Sequence, residues 1–193
     1  MKTLVKSTIL ATAIIGSSLV SAATFVIDDS KAGAHSQIDV KVNHLGFSWV
    51  KGRFNNFSGT FEYDKNKPNE SSIEVTIDTT SFDSNHAKRD KHVMSADFLN
   101  ASEYPTATFK STDIKSQGDG NLTVTGDLTL HGITKSISFD ANLIGEGDSP
   151  WGDYRSGFEA KTTLKFDDFK INGGKIGQTD FTIDMFFEGV SPK

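Results

Sequence analysis

The feature that most constrains the fold is an alternation of apolar and polar residues that recurs along most of the chain. In residues 37–44, Ile38, Val40, Val42 and His44 share one parity, and the residues between them are polar or charged. The pattern returns in five further segments, at residues 73–78, 122–130, 136–143, 158–166 and 181–185. A period of two with one apolar face is typical of antiparallel strands that cover a single core.

The number and length of these strands favour a closed sheet. We expect about eight strands, several of them longer than the usual five or six residues. With almost no helix to cover so large an apolar face, the sheet must fold on itself as a barrel or sandwich. About eight strands is the size at which a barrel can hold a small ligand, as in lipocalins. The fifteen Phe could fill this interior or line a cavity, and the sequence leaves both arrangements open.

Short polar segments rich in Gly, Asn and Asp separate the strands, as expected for turns. The tightest of them is His131-Gly132, which joins two long alternating segments. We predict a β-hairpin at this position.

One segment, residues 83–105, does not alternate. We predict a short helical insert near residues 86–99, with Asn85 as its N-cap and a partial apolar stripe that includes Phe98. Tyr104-Pro105 must end any helix here. Such an insert would lie at one end of the barrel as a lid or mouth segment.

The insert also carries groups that could perform chemistry: His86, Asp90 and His92. The two His are six residues apart, about 600° around a helix, so they would point to different sides. A zinc site of the H-E-x-x-H type needs a spacing of four instead. We therefore predict no metal site, and we expect Arg89 and Asp90 to form an ion pair at the barrel mouth. The sequence also contains no nucleophile motif, no phosphate-binding loop, no dinucleotide fingerprint and no Cys, so we predict a protein without cofactor or enzyme activity.

The first 22 residues read as a secretory signal peptide, which leaves one domain at residues 23–193. Lys2 and Lys6 precede an apolar run over residues 8–20, which is shorter than the roughly 20 residues that span a bilayer. No later run approaches that length, so an integral membrane protein is not expected. Loss of the two lysines would change the net charge from −5 to −7. This balance argues against nucleic acid and against an anionic membrane surface as main partners.

Several ordered blocks of sequence resemble the YceI family, and together they extend over essentially the whole chain. They lie at residues 44–49 (HLGFSW), 52–61, 83–92, 95–99, 104–105, 126–130, 132–135 and 157–160. The resemblance implies an extended, lipocalin-like antiparallel barrel with an elongated apolar tunnel. It also implies a periplasmic protein that binds a long lipid of the polyisoprenoid type, with some members linked to base or osmotic stress. The resemblance implies no catalytic residues. Whether the protein forms a homodimer is left open by the sequence.

Six residues are predicted to bind the ligand: His44, Trp49, Arg53, Arg89, His92 and Phe98. A polar or diphosphate head group would need cationic donors at the mouth, and four of the six are chosen by position for that role. For His44 a core histidine satisfied by the backbone remains an alternative. At the level of the whole protein, the alternatives are an enzyme that uses His44 or residues 83–92 on a lipid or small molecule, and a stress protein whose barrel is only structural.

Overall fold

The fold is seen in a computed structural model, in which residues 22–28 and 35–191 are described. This part of the chain contains eleven strands, one α-helix and four short 3-10 turns. The strands are β1 (Ala23–Asp28), β2 (Gln37–His44), β3 (Ser48–Phe54), β4 (Phe57–Tyr63), β5 (Ser72–Asp78), β6 (Phe82–Asp83), β7 (Thr106–Gly118), β8 (Asn121–Leu130), β9 (Ile133–Asp148), β10 (Tyr154–Lys165) and β11 (Asp180–Ser191). The helix, α1, is Ala87–Val93, and no helix in the described ranges is long and apolar enough to cross a bilayer. The predicted signal peptide lies outside these ranges, apart from its last residue.

Eight strands form a closed antiparallel barrel, which confirms the predicted fold and decides between the barrel and the sandwich that the alternation allowed. The ring runs β1-β4-β5-β7-β8-β9-β10-β11 and closes between β11 and β1, where Val26 faces Val190. Strands β2, β3 and β6 extend this ring at one end, because β2 pairs with the first half of β11. Strand β11 is therefore shared between β2 at one end of the barrel and β1 at the other.

The alternation places apolar side chains inside. Along β8, for example, Leu122, Val124, Leu128 and Leu130 are buried. The predicted hairpin at His131-Gly132 is confirmed, since Leu130 pairs with Ile133. Both turn residues have positive φ, 52° and 71°, which is the conformation of the two-residue turns that match strand twist.

The helix is shorter than predicted, and its cap is a different residue. α1 has seven residues, and its N-cap is His86, whose Nδ1 accepts a hydrogen bond from the Arg89 amide at 3.3 Å. The prediction of Asn85 as N-cap is wrong, because Asn85 adopts a left-handed conformation with φ 60°. In that position its amide donates to the Asp83 carboxylate at 2.7 Å, and the chain reaches an extended conformation only at His86.

The insert lies between the β2–β3–β6 extension and the start of β7. On one side β6 pairs with β3, where Phe82 faces Phe54. On the other side the insert ends beside the start of β7, where the Thr79 amide donates to the Pro105 carbonyl at 3.0 Å. We call this end, which also carries the β2–β3 and β8–β9 hairpins, the mouth end. The opposite end, with the β7–β8 and β9–β10 hairpins, is the far end.

A cluster of aromatic side chains packs together toward the far end. Phe25 stacks on Phe61 with ring centroids 4.8 Å apart, and Phe158 meets both Phe61 and Tyr63 edge to face. Such pairs contribute about 0.5–1.5 kcal/mol each beyond the area that they bury. These aromatic contacts therefore fill part of the far end.

Candidate ligand cavity at the barrel mouth

The barrel interior contains two cavities, which meet at four shared residues. The larger, about 650 Å³, lies at the mouth end, and the smaller, about 100 Å³, lies toward the far end. We call the shared residues the junction: Ile38, Ile77, Leu128 and Ile183. The sequence left open whether the fifteen Phe fill the interior or line a cavity, and the structure shows both. Five Phe line each cavity, and others pack the core.

The larger cavity has the size and lining of a ligand site. Pockets for small molecules measure about 300–1,000 Å³ and are mostly apolar. Strand β2 contributes Val40 and Val42, and the insert contributes Val93, Phe98 and Leu99. The strand residues point inward because they share the parity of Ile38, which is 2 % exposed. The cavity is therefore a direct product of the period-two pattern.

The titratable residues that line the larger cavity are all basic. They are His44, His86, Lys88, Arg89 and His92. No Asp or Glu is among the described residues that line it. Because these groups come from the β2–β3 hairpin and from the insert, they lie together at the mouth end. A cavity of this kind suits a long apolar molecule with a polar or anionic end.

Arg89 is held in place by Ser84. Its Nε donates to Ser84 Oγ and its Nη2 donates to the Ser84 carbonyl, both at 2.6 Å. Asp90 binds the same residue from another direction, since Oδ1 accepts from the Ser84 amide at 2.9 Å and from its hydroxyl. The predicted Arg89–Asp90 ion pair is therefore replaced by a shared serine, and the guanidinium is fixed without a bound carboxylate.

The same contacts change the acidity of Asp90. Burial alone would raise its pKa, but the hydrogen bonds from Ser84 outweigh that effect. The backbone hydrogen bond from His86 and the positive charge of Arg89 act in the same direction. The pKa of Asp90 consequently lies below its ordinary value, and its carboxylate stays ionised and directed away from the cavity lining.

His92 and Phe98 form a second small unit of the insert. The His92 ring meets the Phe98 ring edge to face at 5.1 Å, and His92 Nε2 donates to Asp97 Oδ2 at 3.1 Å. Phe98 is buried, whereas His92 is exposed at the mouth. His44 is exposed as well, so it is a mouth residue and not a core histidine.

The structure brings four of the six predicted ligand residues together and leaves two outside. His44, Arg89, His92 and Phe98 line the larger cavity, but Trp49 and Arg53 do not. Both belong to the outward parity of β3, as the register of its pairing with β2 shows. Their placement gives no support to a ligand role in this cavity.

Arg53 and Trp49 instead have partners on the outer surface. Arg53 faces Asp39 on β2 and Asp83 on β6. Trp49 is 57 % exposed and lies under Lys41, whose Nζ is 4.5 Å from the ring centroid. His86 and Lys88 were missed as lining residues, although their position at the first turn of the insert was a usable signal.

The structure brings together only some of the residues that the enzyme alternative names. Three of its four candidates, His44, Arg89 and His92, do line one cavity, but Asp90 does not. No carboxylate among the described residues is therefore available there as a general base. The described residues also contain no group of three or more His, Cys, Asp or Glu side chains that could hold a metal ion.

The YceI-like domain model matches residues 25–188, which is most of the chain and includes at least part of every strand of the closed barrel. This chain belongs to the YceI family. A UPF0312 protein of Shewanella baltica is 48 % identical over 188 residues, which cover 94 % of this chain and 97 % of that protein.

Two solved structures of similar proteins have the same fold. BcnA of Burkholderia cenocepacia superposes with a TM-score of 0.74 at 23 % identity, over 84 % of this chain and 98 % of BcnA. A polyisoprenoid binding domain from Saccharophagus degradans superposes with a TM-score of 0.65 at 14 % identity, over 89 % and 99 %. At these identities the two superpositions show a shared fold only.

Proposed function

We propose that this protein is a periplasmic carrier of a long apolar lipid of the isoprenoid type. The observation that carries the proposal is the cavity of about 650 Å³ with apolar walls and a basic mouth. The tail would occupy the two cavities in sequence, and the polar end would lie among the basic residues of the mouth. The polyisoprenoid binding domain with the same fold supports this class of ligand.

Burial alone can supply the affinity for such a tail. Each CH2 group removed from water contributes about 0.8 kcal/mol, or roughly a fourfold change in affinity. A long tail therefore needs few specific polar contacts, which agrees with walls made of Val, Ile, Leu and Phe. The polar end would take charge-assisted hydrogen bonds from Arg89 and further hydrogen bonds from the His side chains of the mouth.

The periplasmic location rests on the predicted signal peptide and on the family. A role in base or osmotic stress likewise stays a prediction from the family resemblance.

The decisive experiment is native mass spectrometry of protein purified from its own periplasm, followed by organic extraction. We expect a bound lipid with a long apolar tail. Val42→Trp places a bulky side chain in the larger cavity, so this variant should be purified without bound lipid. Val26→Trp, on the exposed side of β1, should retain the lipid. Consistently empty wild-type protein would refute the carrier function and favour a stress protein with a purely structural barrel. Turnover of the extracted lipid by the protein would instead favour the enzyme alternative.

A further inference from the structure

The β2–β3 hairpin carries the most exposed large apolar side chain of the described residues. Phe47 at its tip is 88 % exposed, and Leu45 and Trp49 beside it are 53 % and 57 % exposed. His44, at the base of the same tip, lines the larger cavity. An exposed apolar cluster therefore stands directly at the opening through which a ligand would enter.

Local stability does not explain this choice of residues. Leu45 and Gly46 both have positive φ, 53° and 81°, in a turn closed by a hydrogen bond from the Phe47 amide to the His44 carbonyl. Such positions favour Gly, Asn or Asp, and a Leu there is uncommon. An apolar residue in a strained and exposed position points to a partner that covers it.

The outer face of the hairpin has the order of residues found at a membrane interface. Behind the apolar tip comes Trp49, opposite Asn43, and behind that Lys41 faces Lys51. Like charges placed directly opposite on neighbouring strands destabilise a sheet. Neither lysine forms an ion pair with another described residue, and the first acid, Asp39, lies one step further back opposite Arg53. Apolar groups at the tip, then Trp, then Lys side chains that are in no described ion pair match the acyl, interface and phosphate layers of a bilayer.

We propose that this hairpin docks the protein onto an anionic phospholipid surface, with Leu45 and Phe47 inserted and Lys41 and Lys51 at the phosphates. The inference rests on the proposed function in one respect, because docking would hold the mouth of the cavity against the membrane that contains the lipid. It differs from the expectation drawn from net charge, since local charge at the hairpin is positive although the whole chain carries −5. Exposed Lys88 and Lys91 of α1 add to the basic charge of the mouth end.

The chain contains two Trp, so each end of the barrel has its own fluorescent probe. In Trp151→Phe only Trp49 remains, and its emission should shift to the blue with vesicles of phosphatidylcholine and phosphatidylglycerol. Vesicles of phosphatidylcholine alone should give a much smaller shift. In Trp49→Phe only Trp151 remains, in the β9–β10 hairpin at the far end, and its emission should not change. An unshifted Trp49, or an equal shift of Trp151, would overturn the proposal.

Two sets of variants measure the contributions of the tip and of the lysines. Phe47→Asp should abolish vesicle binding, while Ile144→Asp, at an exposed position on β9, should leave it unchanged. Lys41→Gln and Lys51→Gln should each weaken binding about fivefold, and less so at high salt. Equal losses for Phe47→Asp and Ile144→Asp would refute docking through the hairpin.

Sedimentation and ligand capture separate this inference from its alternatives. If Phe47→Asp converts a dimer to a monomer and wild-type protein ignores vesicles, the partner of the hairpin is a second copy of the chain, and the proposal is wrong. Capture of a polyprenol from detergent micelles needs no membrane, so Phe47→Asp should capture it like wild type. Vesicle binding without polyprenol capture would leave docking intact and refute the carrier function. Capture without vesicle binding would leave the carrier function intact and refute docking.

Discussion

Ile183 lies at the junction between the two cavities, and its enlargement should shorten the lipid tail that the barrel accepts. Ile183→Phe adds three carbon atoms to a side chain that lines both cavities. If they occupy space that a tail would fill, about three carbons of tail lose their burial. At about 0.8 kcal/mol for each, the loss is about 2.4 kcal/mol, or roughly sixtyfold in affinity.

The loss should depend on tail length, which gives the experiment its specificity. A ligand that ends within the larger cavity should bind Ile183→Phe as it binds wild type, and a longer one should bind more weakly. Competition against a fluorescent lipid, with a homologous series of polyprenols, measures this dependence. Ile144→Phe is the matched control, because it makes the same replacement at an exposed position on β9.

Chemical denaturation provides the second readout. An added methylene in a filled core costs about 1–3 kcal/mol through overpacking, whereas in an open cavity it costs little. We therefore expect the free energy of unfolding of Ile183→Phe to stay near that of wild type. A clear destabilisation combined with unchanged affinity for long tails would show that the junction is filled and that no tail passes it.

Three further predictions concern stability and ionisation. Gly189→Ala should lower the free energy of unfolding by about 1–3 kcal/mol, since its methyl group would overlap the Phe61 ring and lie 2.6 Å from Phe25 Cβ, whereas Gly145→Ala points into open space and should not. Hydrogen bonds from Arg155 and Ser149 lower the pKa of Asp153 from 3.8 to about 2, so NMR titration of Arg155→Leu should move it back toward 3.8. Because the pKa is lower in the folded state, this contribution to stability is complete above about pH 4 and is lost as the pH falls toward 2. Ser84→Ala should raise the pKa of Asp90 by removing its hydroxyl donor, and an unchanged titration of Asp90 would show that the Ser84 hydroxyl does not lower this pKa.

Much of the barrel could be predicted from the sequence, because in a sheet with one apolar face the parity of a residue decides whether its side chain is buried. Leu122 to Leu130 along β8 illustrate this, as does the hairpin at His131-Gly132. The sharing of β11 between two strands could not be predicted, because the alternation in β1 and β2 does not say which part of β11 each of them pairs with. That choice depends on pairing between residues far apart in the chain.

The orientation of a site residue could be predicted within a continuous strand, where the alternation decides it. It could not be predicted beyond a turn, where the alternation is interrupted. His44 continues the inward parity of β2, so its place at the cavity was foreseeable. Trp49 and Arg53 follow the turn at Gly46, and the pairing of His44 with Ser48 turns both outward. Asn85 was misassigned as the N-cap because its amide donates to the Asp83 carboxylate. This local contact competes with capping, and no periodic pattern in the sequence indicates it.

The attachment of the insert has a consequence for how fast a ligand could leave. The closed ring of eight strands is continuous, but β6 joins β3 through only two residue pairs. Short ladders of this kind open with far less free energy than a whole barrel needs for unfolding. Exchange at the mouth can therefore proceed while the ring stays intact, so residence time and thermal stability become separately adjustable properties of the molecule. Substitutions in the insert would set the first, and substitutions among the far-end aromatic residues would set the second.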